Sequence, residues 1–88
     1  RVLKVTTTNY NPPNVAAGAV SPIVTTTVTG AVLGDRARCT FSLDLQGLIL
    51  NAWVSAANTV SFQFVNPSGA AGAVDLGLGT LYTYVEKD

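Results

Sequence analysis

The residues that could carry chemistry are few and dispersed. Asp35 follows Gly34 in a turn-like pair, Asp44 and Asp75 stand near strand or loop ends, and there is no histidine. General acid–base work needs groups that hold and pass a proton within hydrogen-bond reach. Isolated carboxylates with no close second acid do not meet that need, and a turn Asp commonly accepts from nearby backbone N–H groups instead. Cys39 falls between Ala37 and Phe41 on an apolar face, the setting of a small buried hydrophobe. One cysteine without histidine makes neither a disulfide, a zinc site nor a Cys–His nucleophile. Gly30/Gly34 and Gly77/Gly79 do not open a helix after a strand, so no phosphate cradle is expected, and Asn66-Pro67-Ser68 fails as a glycosylation sequon because its middle residue is proline. The expectation is an enzyme-inactive chain with no catalytic residues, no cofactor and no metal.

The side chains that can bind something are arginines and aromatics. Arg36 and Arg38 share one strand face and could hold a carboxylate or phosphate, or stay solvated, or pair with Asp44 or a neighbouring subunit's acid. Tyr82 and Tyr84 lie opposite Leu81 and Val85, Trp53 and Ile49 lie opposite Leu48 and Leu50, and Val65 lies opposite Phe62 and Phe64. Scattered surface apolars are normal. Aromatics on outward faces poor in Lys and Glu are also the composition of an interface centre.

Elements short enough to fit 88 residues must position these groups. A chain of this size supports one core, which excludes a two-domain enzyme. It is 48% hydrophobic and 11% charged, with five basic residues balanced by five acidic ones. Ordinary globular chains are about one-quarter charged, so this one is unusually bare. Two arginines and zero net charge give too little counterion release for nucleic acid or anionic lipid, so neither partner is expected. No apolar run is long enough to span a bilayer as a helix, and Arg1-Val2-Leu3-Lys4 gives way at once to threonines, which predicts no signal peptide.

Periodicity is that of strands. From Arg36 to Gln46 the apolar residues Ala37, Cys39, Phe41, Leu43 and Leu45 recur at every second position. Strands are also predicted over 2–8, 23–29, 48–55, 60–65 and 80–86, with a hairpin at Ala56-Ala57-Asn58 and a turn at Asn66-Pro67-Ser68-Gly69. A packed loop over 69–79 is expected to cross between sheets. Val2 to Thr8 reads as an edge strand or an extended arm, closed by the regularity-breaking Asn9-Tyr10-Asn11-Pro12-Pro13-Asn14. The predicted fold is all-β: a small antiparallel β-sandwich, jelly-roll-like or Ig-like, over 15–88, with an extended N-terminal arm over 1–14.

Several runs together carry a resemblance: Val15-Ala16-Ala17-Gly18-Ala19, Thr25 to Asp35, Asp44-Leu45-Gln46-Gly47-Leu48, Ala52-Trp53-Val54-Ser55-Ala56-Ala57-Asn58-Thr59-Val60 and Phe64-Val65-Asn66-Pro67. In order and spacing they resemble a small β module of tailed-bacteriophage virion proteins, of the capsid decoration, head-fibre or tail-spike type. The resemblance implies a structural role on the outer capsid surface. Its expected partners are the major capsid protein, copies of the chain itself as a homo-oligomer such as a trimer, or both. A fibre or spike module that recognises a host receptor or glycan is the alternative. The residues expected at interfaces are Tyr82, Tyr84, Trp53, Ile49, Val65, Arg36 and Arg38, with Tyr10, Pro12 and Pro13 on the arm as a strap to a neighbour.

Overall fold

Alternating apolar and hydroxyl-bearing side chains cannot bury a helical stripe, but they fill one face of a pleated strand. The computed structural model, which describes residues 1–67 and 72–87, accordingly runs as β1 (Val2–Tyr10), β2 (Val24–Thr27), β3 (Arg36–Phe41), β4 (Ile49–Ala56), β5 (Thr59–Val65) and β6 (Gly79–Glu86). Two three-stranded antiparallel sheets result, ordered β1-β6-β3 and β2-β5-β4. They face each other as a β-sandwich. Among the described strands, β4 and β5 are joined as a hairpin, and each other pair of consecutive strands lies in different sheets.

The core lies between the sheets in two adjoining clusters. Phe62, Phe64 and Leu48 meet Cys39, Leu81, Val15 and Leu76 in one. In the other, Val54, Val60 and Val28 meet Val85 and Ala31. The inward faces expected for β4, β5 and β6 are those observed, with Val54, Val60, Phe62, Phe64, Leu81, Thr83 and Val85 all buried. Cys39 is buried as expected, its Sγ 3.4 Å from the Thr83 hydroxyl. Desolvation pushes the Cys39 thiol above its ordinary value, which keeps it protonated and unreactive at neutral pH.

The expected hairpin forms with Ala56 opposite Thr59. Asn58 adopts the left-handed φ of 61° that this residue type tolerates. Its side-chain oxygen accepts from Gly30 N at 2.8 Å, while Asn58 N donates to Ala31 O at 2.8 Å, so the hairpin is tied to the turn after β2. At Gly79 a Cβ would stand 2.7 Å from the Phe41 ring, so only glycine lets β6 start against that ring.

Two expectations are corrected. The 36–46 strand ends at Phe41, because Asp44 accepts from Gln46 N and both Gln46 and Gly47 take positive φ, which turns the chain. The 23–29 strand is shortened to Val24–Thr27, after which Ala31 N donates to Val28 O to close a turn while Val28 N donates to Asn58 O of the hairpin. Of the two readings of Val2 to Thr8, edge strand or extended arm, the edge strand is the one observed, running on to Tyr10: β1 pairs with β6 from Val2 opposite Glu86 onward, and Leu3 and Val5 pack on the core. The 66–69 turn and the 69–79 loop fall partly outside the described residues. Within the latter, Val74 bridges Val15 and Leu76 is buried.

Candidate docking faces

The outward side of each sheet is determined by its register, and the two sides differ in chemistry. The first sheet presents Lys4 from β1, Tyr82, Tyr84 and Glu86 from β6, and Arg36 and Arg38 from β3. Cross-strand pairing sets them in rows: Lys4, Tyr84 and Arg38 in one, Val2, Glu86 and Arg36 in the next, Thr6, Tyr82 and Thr40 in a third. Lys4 Nζ lies 5.2 Å from the Tyr82 ring centroid and 5.9 Å from that of Tyr84, and the Arg38 guanidinium carbon lies 4.5 Å above Tyr84. The cations are thus held by ring quadrupoles. Arg38 Nε also approaches Glu86 at 3.5 Å, an exposed pair of little energetic weight.

The second sheet carries no charged residue on any of its strands. Its outer face sets Val65 between Val20 and Ile49, while Trp53 lies opposite Ser61. Val20, Ile23 and Ile49 are each more than half exposed. Ser61, flanked in register by Trp53 and Thr25, is covered, and its hydroxyl donates to Ser55 Oγ at 2.7 Å. A polar strand face is normally studded with Lys, Glu or Arg, and this one has Thr, Ser, Asn and Gln around an aliphatic row.

Among the residues expected at interfaces, Tyr82, Tyr84, Arg36 and Arg38 are therefore brought together on one face, and Trp53, Ile49 and Val65 on the other. Tyr10 is partly buried against the core: its ring meets Phe41 and Phe62 edge-on at 6.4 and 5.7 Å, and burial pushes its hydroxyl pKa up. Pro12 is buried and Pro13 exposed, so the Pro-Pro segment offers one residue rather than two. Lys4, Val20 and Ile23 were missed. Lys4 has a sequence signal in its alternation with Val2 and Thr6, but its aromatic neighbours come from the other end of the chain.

At the end of the first sheet a polar cleft of about 260 Å3 is lined by Gly34, Asp35, Arg36, Glu86 and Lys87. Its Lys87–Asp35 pair is already engaged within the fold. Lys87 Nζ donates to Asp35 Oδ2 at 2.7 Å and to Gly30 O at 2.9 Å, and Val32 N donates to the same carboxylate oxygen. Asp35 thus does turn work, as expected of it, and ties the β2–β3 connection to the end of β6. These bonds, that from Lys87 foremost, hold the Asp35 carboxyl below its ordinary value. A carboxylate of lowered pKa contributes stability that is present above about pH 4, its unfolded value, and is lost as pH falls through the folded value. Asp35→Asn is expected to lower Tm at neutral pH and to converge on the parent as acid protonates the parent's carboxyl. Calorimetry from neutral to acid pH checks this, and a constant gap between the curves would refute it.

Among the described residues no group of three or more His, Cys, Asp or Glu could hold a metal ion. Comparison with protein-family models, with curated proteins and with solved structures gave no match.

Proposed function

We propose that this chain is a non-enzymatic structural protein of a bacteriophage virion, a capsid decoration or cement protein that binds the outer capsid surface and bridges neighbouring subunits. The observation that carries the reading is the charge-free outer face of the β2-β5-β4 sheet, where Val20, Val65 and Ile49 form an aliphatic row, with Val20 and Ile49 more than half exposed and Trp53 further along β4 beyond the Asn51–Gln63 pair. A chain with no net charge and such a face has little to keep copies apart in water and much to gain from being covered. Burial contributes about 25 cal/mol per Å2 of apolar surface, less the cost of association, and a lattice multiplies each weak contact by avidity. The resemblance of the Thr25 to Asp35 and Ala52 to Val60 runs to phage virion modules supports the same role.

The alternative, a spike or fibre module for a host receptor or glycan, has less support from the geometry. Trp53 and the Tyr82/Tyr84 pair stand on opposite sheets, and the tyrosine faces are taken by Lys4 and Arg38. The location and copy number of the chain in purified virions test both. Many copies at lattice positions support decoration, a few at a vertex or tail support the spike, and absence from the particle overturns both.

Self-association has its own test. The parent is expected to scatter light as an oligomer, and Ile49→Glu as a monomer whose unfolding free energy differs by no more than an exposed substitution changes it, roughly 0.5 kcal/mol. A parent that is monomeric across the accessible concentration range would remove copies of itself from its partners.

A further inference from the structure

We propose that the outer face of the β1-β6-β3 sheet is a docking surface for an extended acidic polypeptide segment, one with carboxylates at alternate residues. The proposal goes beyond the virion role and does not depend on it. All five basic residues of the chain lie on this sheet or directly at its strand ends: Arg1, Lys4, Arg36, Arg38 and Lys87. Lys87 is committed to Asp35, whereas Lys4, Arg36 and Arg38 stand on the open face, with Glu86 the carboxylate in their rows among the described residues. Three of the five basic side chains thus share one outer face.

Spacing decides the occupant. Arg36 and Arg38 are two residues apart on one strand, about 6.8 Å, which is the repeat of carboxylates at alternate positions of an extended segment. Lys4 and Arg38 flank Tyr84 in the same row, about 10 Å apart across two strand spacings, so they bracket a chain lying along β6. Guanidinium groups present a planar fork to carboxylates, and Arg38 is pre-positioned by its ring contact, which lowers the ordering cost of binding. The tyrosine hydroxyls add donors along the same line.

Single-stranded nucleic acid is disfavoured by the same geometry. Bases would need the ring faces that Lys4 and Arg38 cover, and three cations set against Glu86 leave little counterion release.

The test titrates the full chain at low ionic strength with a short peptide alternating Glu and Ser, read by amide chemical-shift mapping and tyrosine fluorescence. Saturable binding is expected, with shifts on Lys4, Arg36, Arg38, Tyr82 and Tyr84, weakening as salt is added. Arg38→Ala and Lys4→Ala are each expected to lose about tenfold in affinity with an unchanged native spectrum. Shifts confined to the β2-β5-β4 face, or no binding, would overturn the proposal. Tighter binding of an oligothymidylate of equal charge would do so too, by showing an unspecific polyanion surface. Because the parent's shift map locates the peptide without any variant, a variant that failed to fold would leave the test intact. Failure of peptide binding leaves the virion reading standing, and absence from virions leaves the peptide result standing.

Discussion

Phe64→Ala is expected to destabilise the sandwich by about 3–5 kcal/mol and to leave much of the chain unfolded at physiological temperature. Phe64 is fully buried on the central strand of the second sheet. It stands opposite Leu50 in register and edge-on to Phe41 of the other sheet at a centroid distance of 6.2 Å. Removing the ring takes out one of the ring contacts between the sheets and leaves a void in the cluster shared with Phe41, Phe62 and Leu81, residues anchored in strands that cannot collapse inward cheaply. Domains of this size hold only about 0.05–0.15 kcal/mol per residue in total, so one such loss is a large share of it. Urea titration followed by Trp53 fluorescence measures the change. A midpoint within the scatter of an exposed control such as Leu33→Ala would show that the inter-sheet core does not hold the fold.

Asn66→Asp is expected to cost about 3 kcal/mol or more at neutral pH, and to regain stability in acid. Asn66 is 2% exposed, and its side-chain nitrogen donates to Val15 O at 3.0 Å and Gly72 O at 3.1 Å. Exchanging that donor for a carboxylate oxygen aims negative charge at two carbonyls. The introduced acid would be held above its unfolded value of about 3.9, so the native state binds more protons than the unfolded one and stability falls as pH rises through that window. Once protonated, the carboxyl supplies one O–H donor and restores part of the bonding. The parent behaves oppositely in acid, because Asp35 there loses its bond to Lys87. Thermal melts across the acid range of both proteins check the crossing slopes. A variant that loses stability in acid as steeply as the parent would mean that the amide at Asn66 is not the donor to those carbonyls.

Local alternation made most of the strands and their faces legible. For β4, β5 and β6, the Leu50 to Val54, Val60 to Phe64 and Leu81 to Val85 patterns point inward as their period of two requires. Tyr10 shows where that logic fails. Continued from Lys4 and Thr6, the alternation sets Tyr10 outside. Asn9, however, takes a φ of 55° and the register to β6 slips between Thr7 and Tyr10, so the bulge rotates the ring into the core. One residue outside the ladder reverses the face of everything after it. The strand order was illegible for a different reason. Val2 pairs with Glu86 across almost the whole chain, and no local pattern encodes which distant edge a strand will choose. The Lys4, Tyr84 and Arg38 row was hidden for the same reason: its members come from three segments that only the sheet places side by side.

The β1–β6 pairing has a mechanical consequence. Arg1 and Lys87 exchange backbone hydrogen bonds, with Lys87 N donating to Arg1 O at 2.7 Å and the Arg1 amine donating to Lys87 O at 3.1 Å. The two strands are antiparallel, so tension drawing these two residues apart loads the ladder at one end and opens it rung by rung, from Val2–Glu86 toward Thr7–Leu81. A zipper of this kind yields at low force. Load delivered through the broad outer faces of the two sheets is instead shared among many rungs and the packed core at once, so the fold resists force applied across those faces better than force that draws Arg1 and Lys87 apart.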